Sequence, residues 1–129
     1  MNLDNQSTPF ELLGGKTGVQ NLVERFYFHM DTLPEVTTIR LMHSENLDTA
    51  KLKLFKFLCG WLGGPDLYIQ EYGHPRLRRR HLPFKIGGKE RDQWLFCMDK
   101  ALAEMPIDEQ LSTHVRQALS QLATHMINS

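Results

Sequence analysis

Apolar residues recur with helical spacing along most of the chain, and no run alternates as a strand would. Between residues 17 and 31, Val19, Leu22, Val23, Phe26, Tyr27 and Met30 fall on one face, which predicts an amphipathic helix. Thr17 with Gln20 three residues on has the form of a capping box, and Pro34 lies just past the end. Residues 47–62 predict a second helix with two apolar stripes. One stripe is Leu47, Ala50, Leu54, Phe57, Leu58 and Trp61; the other is Leu52, Phe55, Cys59 and Leu62. Only a narrow polar strip is left, which predicts burial on two sides. Gly63-Gly64-Pro65 ends this helix, because glycine accepts left-handed dihedrals and proline cannot continue a helix.

Trp94, Met98, Ala101 and Met105 align over residues 90–105, stopped by Pro106. Leu111, Val115, Ala118, Leu122 and Met126 align over residues 108 to about 128. Four main helices predict an all-α fold. Between the second and third, residues 66–89 are rich in Gly, Pro, Arg and His and carry little regular pattern, with room for a short helix around residues 75–81. So long an irregular stretch is uncommon in a compact domain and is often functional.

The 129 residues fit a single domain, with residues 1–8 expected as a flexible N-terminal extension. Hydrophobic residues make up 41% and charged residues 23%, a balance that excludes general disorder. Fifteen basic and fifteen acidic residues cancel to a formal net charge of +0, so nucleic acid or anionic membrane would need a local patch. No apolar stretch approaches a membrane span. The opening residues MNLDNQSTPF lack the basic start and apolar run of a signal peptide, and the cytoplasm is the expected compartment. Cys59 and Cys97 share no CxxC spacing and are too few for a disulfide framework.

Six histidines are present, without an HExxH or CxxC…H pattern, so zinc has weak support. A phosphate-binding glycine loop and a GxSxG elbow are also lacking. The most unusual segment is His74-Pro-Arg-Leu-Arg-Arg-Arg-His81-Leu-Pro-Phe84. It reads as a solvated basic turn, as a nucleic-acid-binding patch whose four arginines contact phosphates, or as a haem site. In the last, His81 supplies imidazole to iron, nearby cations neutralise propionates, and Leu77, Leu82, Phe84 and Ile86 form an apolar wall. A helix apolar on two sides has room for a flat apolar cofactor on one of them. Tyr27 and Trp94, on apolar helix faces, are either core aromatics or donors into a cavity.

Four stretches together resemble a known family: Phe26-Tyr27, Phe57-Leu-Cys-Gly-Trp-Leu-Gly-Gly-Pro-Asp-Leu-Tyr68, Tyr72-Gly-His-Pro-Arg-Leu-Arg-Arg-Arg-His-Leu-Pro-Phe84 and Glu90-Arg-Asp-Gln-Trp-Leu-Phe-Cys-Met98. The chain is similar to the truncated haemoglobins, specifically their second group, over residues 9–126. The resemblance implies a globin-like, two-over-two helical sandwich around haem b. It implies His81 as the proximal iron ligand, with Tyr27, Trp94 and, as the most variable of the three, His43 as distal donors to a bound ligand. His43 falls where relatives carry Tyr, Phe or His, across a length change in the alignment. Lys53, Tyr68 and Arg80 match positions that meet the propionates. Ala50 and Leu54 match distal positions that are often polar in other globins; with Phe57 they are expected to make that wall apolar. Leu77, Phe84, Ile86 and Met98 are expected against the haem.

The implied function is binding of dioxygen at iron. The alternative is a haem enzyme acting on nitric oxide or peroxide with a reductase, with His43 moving a proton. Neither nucleic acid nor membrane is an expected partner, and a monomer or homodimer is expected. Cys59 and Cys97 are read as buried small apolar residues.

Overall fold

The computed structural model describes residues 7–129, which form helices and turns and no strand. The predicted helices are present with shifted ends: α2 (Gly15–Thr32), α4 (Asp48–Trp61), α7 (Gly88–Ala103) and α8 (Glu109–His125). Four shorter helices accompany them: α1 (Pro9–Leu12), α3 (Thr37–Leu41), α5 (Leu67–Tyr72) and α6 (Leu77–His81). A 3-10 turn, Pro34–Val36, precedes α3. The stretch from 66 to 89 is therefore less irregular than its composition suggests, with α5 and α6 inside it.

The capping box expected at Thr17 and Gln20 is not formed. Gly14, with a left-handed φ of 108°, caps α2 three residues before Thr17, so Thr17 falls within the first turn. The box is at α1 instead. There Thr8 Oγ1 accepts from the Glu11 N–H at 3.2 Å, and Glu11 Oε1 accepts from the Thr8 N–H at 3.1 Å. Of the extension expected over residues 1–8, residues 1–6 lie outside the described residues.

α2 packs against both α4 and α7, and α7 packs against α8, which gives two layers of two helices. Val19, Leu22, Val23, Phe26 and Met30 of α2 lie at the centre of the core, each at most 1% exposed. Full burial stabilises such side chains by about 1.5–3 kcal/mol each. Leu58 and Cys59 of α4, Met98 and Ala101 of α7, and Val115 and Leu119 of α8 close around them. The two-sided burial expected of α4 is only partial: Leu52, on its second stripe, is 49% exposed.

The turn after α4 shows why two glycines stand together. Gly63 has φ 99°, a conformation costly for a residue with a Cβ. A Cβ on Gly64 would lie 2.5 Å from the Phe10 ring. The Phe10 N–H donates to the Leu62 carbonyl at 2.9 Å, which ties α1 onto this turn.

Candidate functional site

A cavity of about 370 Å³ opens between the layers. Its walls come from α2, α3, α4, α6, α7, α8 and the segment after α6. That volume falls among ligand-binding clefts, which span roughly 300–1,000 Å³. The lining is mostly apolar: Leu54, Phe57 and Leu58 from α4, Leu77 from α6, then Phe84 and Ile86. Phe84 lines the cavity yet is 43% exposed.

His81, at the end of α6, is also part of the lining. Its Nδ1 lies 2.6 Å from the Leu77 carbonyl oxygen. A carbonyl can only accept, so Nδ1 carries the proton and Nε2 is left with its lone pair. This bond also fixes the plane of the ring. A tied Nδ1 with a basic Nε2 is the arrangement of a metal-ligating imidazole. Among the described residues no group of three His, Cys, Asp or Glu side chains is placed to hold a metal ion. A metal at His81 would take its other ligands from a non-protein group.

Tyr27, His43 and Trp94 line the same cavity. Phe26 packs between two of them, with its ring centroid 4.9 Å from that of Tyr27 and 5.1 Å from that of Trp94. The Tyr27 hydroxyl donates to the Ala50 carbonyl at 3.5 Å, at the long limit of a hydrogen bond. The Trp94 indole N–H has no hydrogen-bond partner among the described residues. His43 donates from Nδ1 to the Ile39 carbonyl at 2.8 Å, leaving Nε2 as an acceptor. Burial raises the Tyr27 pKa, so the phenol stays a donor. Burial also lowers the His43 pKa; the Ile39 bond opposes this, and the charges of Arg40 and His81 reinforce it.

Six expected site residues do not line the cavity, among them Leu82, which is 56% exposed instead of forming part of the apolar wall. Ala50 contributes its carbonyl to Tyr27 and no wall. Met98 is fully buried in the core. Tyr68 is buried behind Phe57, their centroids 6.3 Å apart, with the Arg80 guanidinium 5.9 Å from its ring centroid. Arg80 also donates to the Pro75 carbonyl at 2.6 Å. Lys53 stands 5.6 Å from the ring centroid of Tyr72. The sequence reading in turn missed Ile39, Met42, Leu119 and Ala123, which line the cavity. It placed Leu122 and Met126 on the apolar stripe of α8 without indicating that the stripe faces a void.

The family model for bacterial-like globins matches residues 8–128. The chain is a bacterial-like globin. Its fold is similar to that of a cold-adapted truncated hemoglobin from Pseudoalteromonas haloplanktis TAC125. The TM-score is 0.93 at 44% identity, covering 95% of this globin and 99% of that chain. It is also similar to the group II 2-on-2 hemoglobin of Agrobacterium tumefaciens, with TM-score 0.91, 41% identity and 95% of each chain covered. A group 2 truncated hemoglobin of Bacillus subtilis is 36% identical over 122 residues, spanning 95% of this globin and 89% of the relative. The globin thus belongs with the group II truncated haemoglobins. Globins carry a haem iron and bind diatomic gases. No helix among the described residues is long and apolar enough to cross a membrane.

Proposed function

We propose that this globin holds haem b through His81 and binds dioxygen reversibly, with Tyr27 and Trp94 as donors to the bound ligand. The observation that carries the reading is the pairing of a tied Nδ1 on His81 with a free lone pair on Nε2, at the wall of an apolar cavity. The residues present fit the group. A flat apolar macrocycle would cover Phe84 and Ile86, and Leu54 and Phe57 would meet it from α4. By resemblance Arg80 and Lys53 would meet its carboxylates, although neither lines the cavity; Arg91 is the arginine that does. His81 is the residue that would hold the haem, which when bound would supply an iron able to take a diatomic ligand.

The chain's own contribution is donation and exclusion of water. Trp94 has an uncommitted N–H. Tyr27 exchanges a long bond to Ala50 for a shorter one to the ligand at little cost. Each neutral hydrogen bond of this kind contributes about 0.5–1.5 kcal/mol net, and more in a dry cavity. Two such donors slow ligand release.

His43 favours a second reading. A neutral imidazole beside Tyr27, with Nε2 free to accept, can receive a proton during turnover. The matching reaction is peroxidase-like: such a base would take a proton from hydrogen peroxide and return it to the leaving water, with two electrons from a donor. Oxidation of nitric oxide by dioxygen to nitrate, with one electron from a reductase, needs no proton. Haemin titration of the haem-free protein, then oxygen uptake and release by the ferrous form, tests the binding reading. A Soret band and reversible oxygenation are expected; failure to take up haemin contradicts it. Electron donor oxidised at many equivalents per protein, with hydrogen peroxide supplied, would favour the second reading.

A further inference from the structure

We infer that Asn128 and Arg78 are positioning residues for the His81 imidazole, which rests on His81 being the iron ligand. α6 is five residues long, has no side-chain N-cap and buries none of its residues. Helices this short do not persist in water without tertiary support. The Leu77 bond fixes the ring relative to α6, but something must fix α6 relative to the cavity. That support comes from the segment following α8.

The Asn128 side chain reaches both ends of the turn after α6. Its Nδ2 donates to the carbonyl of His81 itself at 3.2 Å and to that of Phe84 at 3.0 Å. Its Oδ1 accepts from the Ile86 N–H at 2.9 Å, and its own N–H donates to the Ile86 carbonyl at 2.8 Å. An amide satisfies this site because it donates and accepts through one planar group. Arg78, inside α6, makes the return connection. Its Nη1 donates to the carbonyls of His125 and Ile127 at 2.7 and 2.8 Å. His125 is the last residue of α8, where the helix leaves acceptors without intrahelical partners, and Ile127 lies two residues beyond it. α8 also lines the cavity through Leu119, Leu122 and Ala123. One polar clamp therefore joins the histidine backbone to a helix forming the opposite part of the wall's framework.

The clamp sets the tilt of the imidazole and the retention of haem, without touching either. The test uses the full haem-loaded chain with Asn128→Leu, Asn128→Asp and Arg78→Met. Asn128→Asp keeps size and the acceptor for Ile86, but sets a carboxylate oxygen against two carbonyls. Two readouts are taken: the iron–imidazole stretching band of the ferrous protein, and haemin transfer to excess apomyoglobin. Circular dichroism checks that each variant is folded. Both Asn128 variants are expected to shift or broaden the band and to release haemin about tenfold faster, as loss of one to two net hydrogen bonds implies. Arg78→Met should move both readouts in the same direction, and stands in if an Asn128 variant does not fold. Unchanged readouts in either Asn128 variant overturn the clamp, because a space-filling role would spare Asn128→Asp. The His81→Gly protein separates the two levels: a band that survives in it removes the ligand assignment, whatever the Asn128 variants do.

Discussion

The rings of Tyr27 and His43 meet edge to face in the cavity wall, their centroids 5.9 Å apart and their planes at 75°. A phenol donor and an imidazole acceptor thus stand side by side, in the cavity that Trp94 also lines. Their protonation is set by burial, which holds the phenol protonated and the imidazole neutral. The wall offers two donors and one acceptor without a change of protonation near neutral pH.

Removing either donor should therefore speed ligand release. Tyr27→Phe and Trp94→Phe are each expected to raise the oxygen dissociation rate by about twofold to tenfold, the equivalent of one neutral hydrogen bond. Stopped-flow displacement of oxygen by carbon monoxide measures this. A rate unchanged in both variants would remove the pair from ligand stabilisation.

His43 should make stability depend on pH. Its folded pKa lies below the unfolded value of about 6.5, so the unfolded chain binds the proton more readily. Stability therefore carries no His43 contribution above about pH 6.5, falls as pH drops through that value, and levels off below the folded pKa. His43→Gln can keep a donor to Ile39 without titrating. The loss in urea midpoint between about pH 7.5 and pH 5 should be smaller in that variant than in the parent. An equal loss in the two proteins would rule out burial of a neutral His43 as a cause.

Much of this arrangement was legible in the sequence, for reasons particular residues make plain. The helix carrying Tyr27 shows four turns of unbroken apolar spacing, and the one carrying Trp94 is stopped by Pro106; in both, packing and period agree. α1, α3 and α5 span only four to six residues, too few for a period of 3.6 to repeat. The Thr17–Gln20 box was misplaced because Gly14, in a conformation no pattern of polarity reveals, starts the helix sooner. Tyr27, Trp94 and His81 were found through a family resemblance and long motifs. Their convergence on one cavity required the fold. Lys53, Tyr68 and Arg80 form a cation–aromatic cluster with Tyr72 beside the cavity, and spacing along the chain could not tell rim from wall. Asn128 gave no sequence signal, because its partners are carbonyls and an N–H more than 40 residues away.

The two thiols should be inert in the folded protein. Cys59 and Cys97 are both fully buried, and burial raises the first thiol and pushes the second up to about 11. At pH 8 about one Cys97 side chain in a thousand would be thiolate, the reactive form. An aromatic disulfide reagent should titrate both thiols in guanidinium and neither, over minutes, in native protein. Rapid native modification would show that the core around them opens.

Gly64→Ala should destabilise the protein. The new methyl would press on the Phe10 ring, and overpacking of this kind typically costs 1–3 kcal/mol. A fall of several degrees in Tm is expected by calorimetry. Adding Phe10→Ala should make the pair less than additive, since the clash is then absent. Full additivity would show that the two positions do not meet.

The axial ligand is read most directly from optical spectra of His81→Gly loaded with haemin, reduced, with and without added imidazole. Loss of the five-coordinate histidine spectrum, and its return when imidazole fills the space left by the side chain, is the expected result. A ferrous spectrum identical to that of the parent protein, with no response to imidazole, would contradict the assignment of His81.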